Sequence, residues 1–356
     1  MLVQAETHGG DQPGREECRE MLRTRFCELF GIDAPIMVAP MGPDLTGPEL
    51  VAAVCNAGGF GILQAQLCSP PLLRQQIRYL RTLTDKPFGV NFVLHFPHRA
   101  GIEVCIAERV AALSFFWGDP SEFIPAAHGA GITVLHQVGS VDAAVCAHQV
   151  GVDVIIAQGA EAGGHVAGQV SSLVLLPRIV DAVTPALVLA AGGIADGRGL
   201  AAALCLGADG VVMGTRFLST PEANVHPVYQ ARLVGASEED TVRTILFGHG
   251  WPHAPHRTLR SPFVKEWVGR ESATQDSRAD EPMIGQTVIG GAEMPVERFA
   301  SIPPNAQATG DIESMALLAG QSVGLVDEMR PAAEIVRQTI SDAESLIWQL
   351  RSFVSN

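Results

Sequence analysis

Val152-Asp153-Val154-Ile155-Ile156-Ala157-Gln158-Gly159-Ala160-Glu161-Ala162-Gly163-Gly164-His165 joins an apolar run to a polar amide, a loop of small residues and an imidazole. The run is apolar without alternation, apart from Asp153, as expected of a strand covered on both faces. It ends on a residue able to bond a ligand, and the glycines beyond it let a backbone approach one closely. The histidine beside them changes charge near neutral pH. A strand that delivers polar groups from its C-terminal end belongs to a parallel α/β fold. The fold then depends on how many similar units flank it.

On the N-terminal side, 35–41, 60–65, 88–94, 113–117 and 133–138 read as strands, with helices at 48–57, 70–83, 101–112, 121–130 and 141–150. On the C-terminal side, helices at 171–183 and 197–206 alternate with strands at 186–191 and 210–213. Eight such units in about 190 residues predict an α/β fold closed as a (β/α)8 TIM barrel. An open doubly wound sheet would place a glycine-rich fingerprint in the first strand–helix turn. Here that turn is Met41-Gly42-Pro43-Asp44.

After Phe217 the alternation stops. Residues 221–247 read as helical, and 248–255 are rich in Gly, Pro, His and Trp. Residues 271–280 are polar and read as exposed, and 283–308 as irregular and Pro-rich. Helices are expected at 311–323 and 329–353. The predicted organisation is a disordered tail over 1–20 and a barrel over 21–220. An inserted lid or small α-rich subdomain follows at 221–310, with C-terminal helices at 311–356 packing back on the barrel.

Among 356 residues, 47% are hydrophobic and 17% charged, enough for a large core. The net charge of −14 argues against nucleic acid as a partner, because phosphate binding needs basic surface. Seven cysteines, none in CxxC spacing, argue against a disulfide framework or a structural zinc site. With no signal-peptide pattern and no apolar run of about 18 residues, the expectation is a cytoplasmic protein without a membrane span. A homo-oligomer is compatible with the sequence, which does not specify one.

In a barrel the strand C-termini and the loops after them line one mouth. That rule selects Ala39, Pro40, Met41 and Gly42 after strand one, Gln64 after strand two, Asn91 after strand three and Gln137 after strand five. It also selects Gln158, Gly163, Gly164 and His165 after strand six, Gly192 and Gly193 after strand seven, and Val212, Met213, Gly214 and Thr215 around the end of strand eight. The loops after strands seven and eight are where barrels commonly hold a phosphate, and small residues there expose backbone N–H groups. Tight turns explain the same glycines without a ligand.

The segments 39–42, 86–91, 158–165, 191–199 and 213–217, in that order, resemble the nitronate monooxygenase family, formerly the 2-nitropropane dioxygenases; 318–324 is similar to it as well. The resemblance covers about 22–221. It implies non-covalently bound FMN, with Asn91 and Gln158 on the flavin ring or ribityl chain and Met41 and its neighbours behind the ring. Gly163, Gly164, Gly193, Gly214 and Thr215 would hold the phosphate, and His165 would be catalytic. The implied reaction oxidises an alkyl nitronate or nitroalkane with O2 to a carbonyl compound and nitrite. The sequence departs from the family at Gln137, where many members carry lysine. Related flavin enoyl-acyl-carrier-protein reductases and quinone reductases share the Glu161–His165 signature, so an NAD(P)H-dependent reductase and a non-catalytic FMN-binding protein stay open.

Other residues carry plainer expectations. His249, His253 and His256 suit a Pro-rich lid or rim rather than a metal site. His95 and His98 lie near the mouth, His136 is packed, and Asp196 caps a helix. Phe92, Phe116 and Trp117 would shape a dry pocket if they face inward.

Overall fold

The computed structural model describes residues 22–275 and 280–353; the expected tail over 1–20 lies outside them. Eight parallel strands form one sheet: β1 Ile36–Val38, β2 Gly61–Gln64, β3 Phe88–Val93, β4 Ala112–Phe116, β5 Thr133–Val138, β6 Val154–Gln158, β7 Leu187–Ala191 and β8 Gly210–Met213. Each strand pairs with its sequence neighbour from β2 round to β8, and β8 pairs with β1. A parallel bridge from Met37 to Phe60 links β1 to the start of β2 and closes the barrel.

The period of two along each strand sorts its side chains into two cores. Met37, Ile62, Leu135, Ile156, Leu189 and Val212 fill the barrel interior. Val38, Leu63, Val90, Leu113, Ile155, Val188, Val211 and Met213 face the surrounding helices. The helix Arg25–Phe30 plugs the N-terminal end of the barrel, inserting Phe26 beside Phe60. Arg25 fixes it there through paired bonds of 2.8 Å to Asp209, just before β8. The opposite, C-terminal mouth is left for the site.

The helices follow their sequence signals. Pro70–Leu83 starts with proline, where a missing N–H costs nothing, and buries Leu73, Ile77 and Leu80 on one face. The helix expected over 101–112 spans Arg99–Glu108 instead. Arg109 turns left-handed at φ 51° and stops it, which frees Ala112 to begin β4. The C-terminal helix Ala332–Arg351 buries Ile335, Val336, Thr339 and Ala343. It crosses the helix Gly197–Cys205 so closely that a Cβ on Gly197 would lie 2.4 Å from Ala343 N.

The excursion after β8 corrects several expectations. It is mixed rather than α-rich. Only Pro227–Val234 of the 221–247 stretch is α-helical; Gly235 ends it and the Ser237 capping box turns the chain into β9, Thr241–Thr244. β9 pairs antiparallel with β10, His256–Leu259. The 283–308 stretch holds a hairpin, β11 Met283–Ile289 and β12 Ala292–Glu297, with β13 Thr309–Gly310 on its other side. Its turn is Gly290-Gly291, both at positive φ, and Pro295 is tolerated because β12 is an edge strand. Of the polar 271–280 stretch, Thr274 and Gln275 are buried. The helix expected at 311–323 is two 3-10 turns, Ile312–Ser314 and Gln321–Leu325, separated by an extended segment through Gly320.

Candidate active site

The barrel mouth encloses a cavity of about 1040 Å³ including its open end, at the upper end of the usual range for cofactor and ligand sites. Ala39, Pro40, Met41, Gly42, Asn91, Gln137, Gln158, Gly163, Gly164, His165, Gly192, Gly193, Val212, Gly214 and Thr215 all line it, as does Gln64. Met213 does not. Val212 faces inward, so its neighbour must face outward, and Met213 is fully buried in the outer core. Phe116 also lines the cavity, whereas Phe92 packs outward.

Among the described residues, the lining contains no Asp, Glu, Lys or Arg. Its polar character comes from amides, hydroxyls and backbone. Gln64 donates to Pro40 O at 3.3 Å and accepts from Gln66 N at 3.0 Å. The Asn91 amide, turned to satisfy both of its ends, donates to Ser114 Oγ at 3.0 Å. Gln158 donates to His165 O at 2.9 Å, while its buried Oε1 has no protein partner. A buried amide oxygen without a donor is costly, so this one calls for a donor from a bound group.

The glycines have different causes. Gly192 and Gly193 sit at φ 100° and 75°, which excludes most side chains. Gly163 is set by packing: a Cβ there would lie 2.4 Å from Gly320 N and 2.6 Å from Ala319 C. The segment through Gly320 is therefore pressed against the loop, and Gly320 N donates to Thr215 Oγ1 at 2.9 Å. Gly214 is less confined, and an added Cβ would meet Ala39 Cβ at 3.3 Å and Met41 Sδ at 3.6 Å, side-chain atoms rather than backbone. Asp196 caps the helix Gly197–Cys205, accepting from Arg198 N and Gly199 N. That helix end is thereby occupied by a carboxylate, and an anion would rely on loop N–H groups instead.

His165 is held by the excursion. Gly164 and His165 form a short strand, antiparallel to His256 and Arg257 of β10. Arg257 reaches under the loop to Ala160 O at 2.9 Å. The Trp251 indole stacks on the His165 ring at 3.9 Å between centroids and 22° between planes. Ser301 Oγ lies 3.4 Å from His165 Nε2, and the His256 ring lies behind at 5.3 Å. Burial, with His256 and His95 next, holds the His165 imidazole well below its ordinary value and therefore neutral at pH 7. His256 is fully buried, pushed down to about 4 mainly by desolvation. It accepts from Phe247 N at Nε2, which places its proton on Nδ1, toward Ala254 O.

Sequence reasoning missed Trp251, Ser301 and the strand pairing of His256. The unusual 248–256 composition marked the segment but not its target. His95 reaches the site only through Trp251, stacking on its other face at 5.3 Å and 7°. His98 packs on Phe123 instead, and His136 sits in β5, pushed down to about 4 by burial.

A model of the family described as nitronate monooxygenase matches residues 23–102 and 96–342, which span the barrel and the excursion. The chain belongs to the nitronate monooxygenase family. It is an oxidoreductase of that family acting on a small molecule. It is 32% identical to a probable nitronate monooxygenase of Staphylococcus saprophyticus, over 92% of this chain and 99% of the relative. It is also 35% identical to (3aS,4S,5R,7aS)-5-hydroxy-7a-methyl-1-oxo-octahydro-1H-indene-4-carboxyl-CoA dehydrogenase of Rhodococcus jostii, over 90% of this chain and 96% of the relative. The solved structure of FabK from Thermotoga maritima superposes with a TM-score of 0.78 at 36% identity, covering 93% and 99% of the two chains. Members of one family thus carry names for different substrates, and no helix of the described chain is long and apolar enough to cross a membrane.

Proposed function

We propose that the protein is an FMN-dependent oxidase of nitroalkanes and their nitronates. One observation carries this reading: in an otherwise uncharged cavity, His165 is the group able to take a proton at neutral pH. Tyr229 also lines the cavity, but its hydroxyl donates to Leu318 O and burial raises it further. The residues suit a flavin. Gln158 Oε1 lacks a donor, the amides of Gln64 and Gln137 offer both donors and acceptors, and the small residues at 192–193 and 214–215 would admit a phosphate. When bound, FMN would accept electrons from the substrate and pass them to O2, the substrate ending as a carbonyl compound and nitrite.

The chain's own groups determine the form of substrate. A preformed nitronate would enter a chamber with no fixed cation and would incur a desolvation cost that only hydrogen-bond donors there can offset. A neutral nitroalkane enters without that cost. His165, neutral at rest, takes the α-proton, and the imidazolium then pairs with the anion it has created. Trp251 keeps one face of the ring from water, and Ser301 sits beside Nε2. The test is nitrite release from 1-nitropropane and O2 without nicotinamide. Release no greater than from apo-protein contradicts the proposal. The relative named an indene-carboxyl-CoA dehydrogenase favours a second reading, in which His165 takes the proton α to a thioester; octanoyl-CoA-dependent reduction of an artificial acceptor, without nitrite formation, would select it.

A further inference from the structure

We propose that Trp251 sets the upper size of the substrate, as the outer wall of the chamber in front of His165. The inference rests on the reading that substrate meets His165, and it concerns a residue outside the barrel. Trp251 is 4% exposed and lines the cavity, yet the ring stacked on its far face, His95, is exposed. The indole therefore stands between the His165 ring and a surface residue. Two further aromatics stand near this wall: Trp117 meets Trp251 edge-on at 5.0 Å and His165 edge-on at 6.2 Å, and Phe96 meets Trp251 edge-on at 5.2 Å; both brace the indole in its plane.

The strap that carries Trp251 is built to hold it there. Gly250 is at φ 84° and His253 at φ 57°, so the chain turns sharply on both sides of the indole. Gln275, itself buried, accepts from His253 N at 2.8 Å and donates to Ile245 O at 2.7 Å, clamping both ends of the strap. His249 N donates to Phe299 O, and Ser301 N returns a bond to His249 O. The same strap therefore positions the stacking ring and the hydroxyl beside His165 Nε2. Trp251 packs with Val93 and Ala254 in a small apolar cluster, and it faces the cavity on one side and a surface residue on the other.

An apolar chain growing from the reacting carbon gains about fourfold in affinity per buried methylene until it meets a wall. Two measurements on the FMN-loaded enzyme test the proposal. Calorimetric titration with straight-chain 1-alkanols from ethanol to octanol reads binding without turnover. Nitrite formation from 1-nitroalkanes of the same lengths reads kcat/KM. In the wild type both series should stop improving at a short chain length. In Trp251→Ala the gain should continue by about fourfold per carbon through hexyl. Trp251→Phe, which keeps a ring over His165, should move the break by fewer carbons and serves if the alanine variant does not fold. The same break in all three proteins would overturn the inference. A break that moves in the alkanol titration while no nitroalkane yields nitrite would leave the size limit standing and remove the nitroalkane reading.

Discussion

Replacing Gly163 with alanine separates two explanations of the loop that carries His165. If the glycine only makes room for a flavin phosphate, alanine should weaken cofactor binding and leave the apoprotein as stable as before. The packing indicates otherwise. The new Cβ would sit 2.4 Å from Gly320 N, 2.6 Å from Ala319 C and 3.0 Å from Ala319 Cα, against ordinary contacts near 3.4 Å or more. All three are backbone atoms, so no side chain can rotate away. The segment at 319–321 has to retreat by about 1 Å, and overpacking of that kind costs about 1–3 kcal/mol. Retreat also stretches the 2.9 Å bond from Gly320 N to Thr215 Oγ1 and the 2.9 Å bond from Gln321 N to Glu161 O. Leaving a buried donor unpaired adds about 1–3 kcal/mol. The expected loss is therefore about 2–6 kcal/mol in urea unfolding of the flavin-free protein, and flavin binding weakens as a consequence. A loss below about 1 kcal/mol, with flavin binding abolished, would refute the packing explanation and restore the phosphate one.

Stability should fall with acid over a defined window. His256 and His136 are held near 4 in the folded protein and return to about 6.5 when unfolded, so the unfolded state binds more protons between those values. Stability is then full above about pH 6.5 and lost as pH falls toward 4, by up to about 3 kcal/mol per histidine. His256→Gln should flatten that slope in urea midpoints measured from pH 7.5 to 4.5, and an unchanged slope would contradict it. Gln275→Ala removes the clamp on the strap and leaves His253 N and Ile245 O without partners, a loss of about 2 kcal/mol. It should also expose the 248–253 segment to limited proteolysis, and a wild-type cleavage pattern would be inconsistent with the clamp. With a neutral nitroalkane as substrate, the acid limb of kcat/KM should fall well below pH 6.5, following the lowered His165 value; a limb centred at 6.5 would indicate a solvated imidazole.

The barrel was legible because each unit repeats the same two signals, an unbroken apolar run and a punctuated helix. The run 133–138 and the helix 70–83 match the structure residue for residue. Strand ends then placed the mouth residues, since topology alone puts them there. Met213 failed because selecting a strand's end does not specify which face each residue takes, and Val212 already holds the inward one. The excursion was poorly legible for another reason. Its strands are short and pair with segments far away in sequence, as β10 does with Gly164 and His165, so no local period announces them. Trp251 illustrates the limit. Its neighbours read as a Pro-rich rim, and nothing within 248–256 indicates that the indole lands on a ring 86 residues earlier in the chain, at His165.

His165 as the single proton acceptor is tested most directly by comparing His165→Asn with the wild type on neutral 1-nitropropane and on its preformed nitronate, with nitrite as the common product. Loss of the base should lower kcat/KM for the neutral compound by about 10²–10⁴-fold. The nitronate, which has no proton to give up, should lose less than about tenfold. Equal losses on the two substrates would contradict the base role.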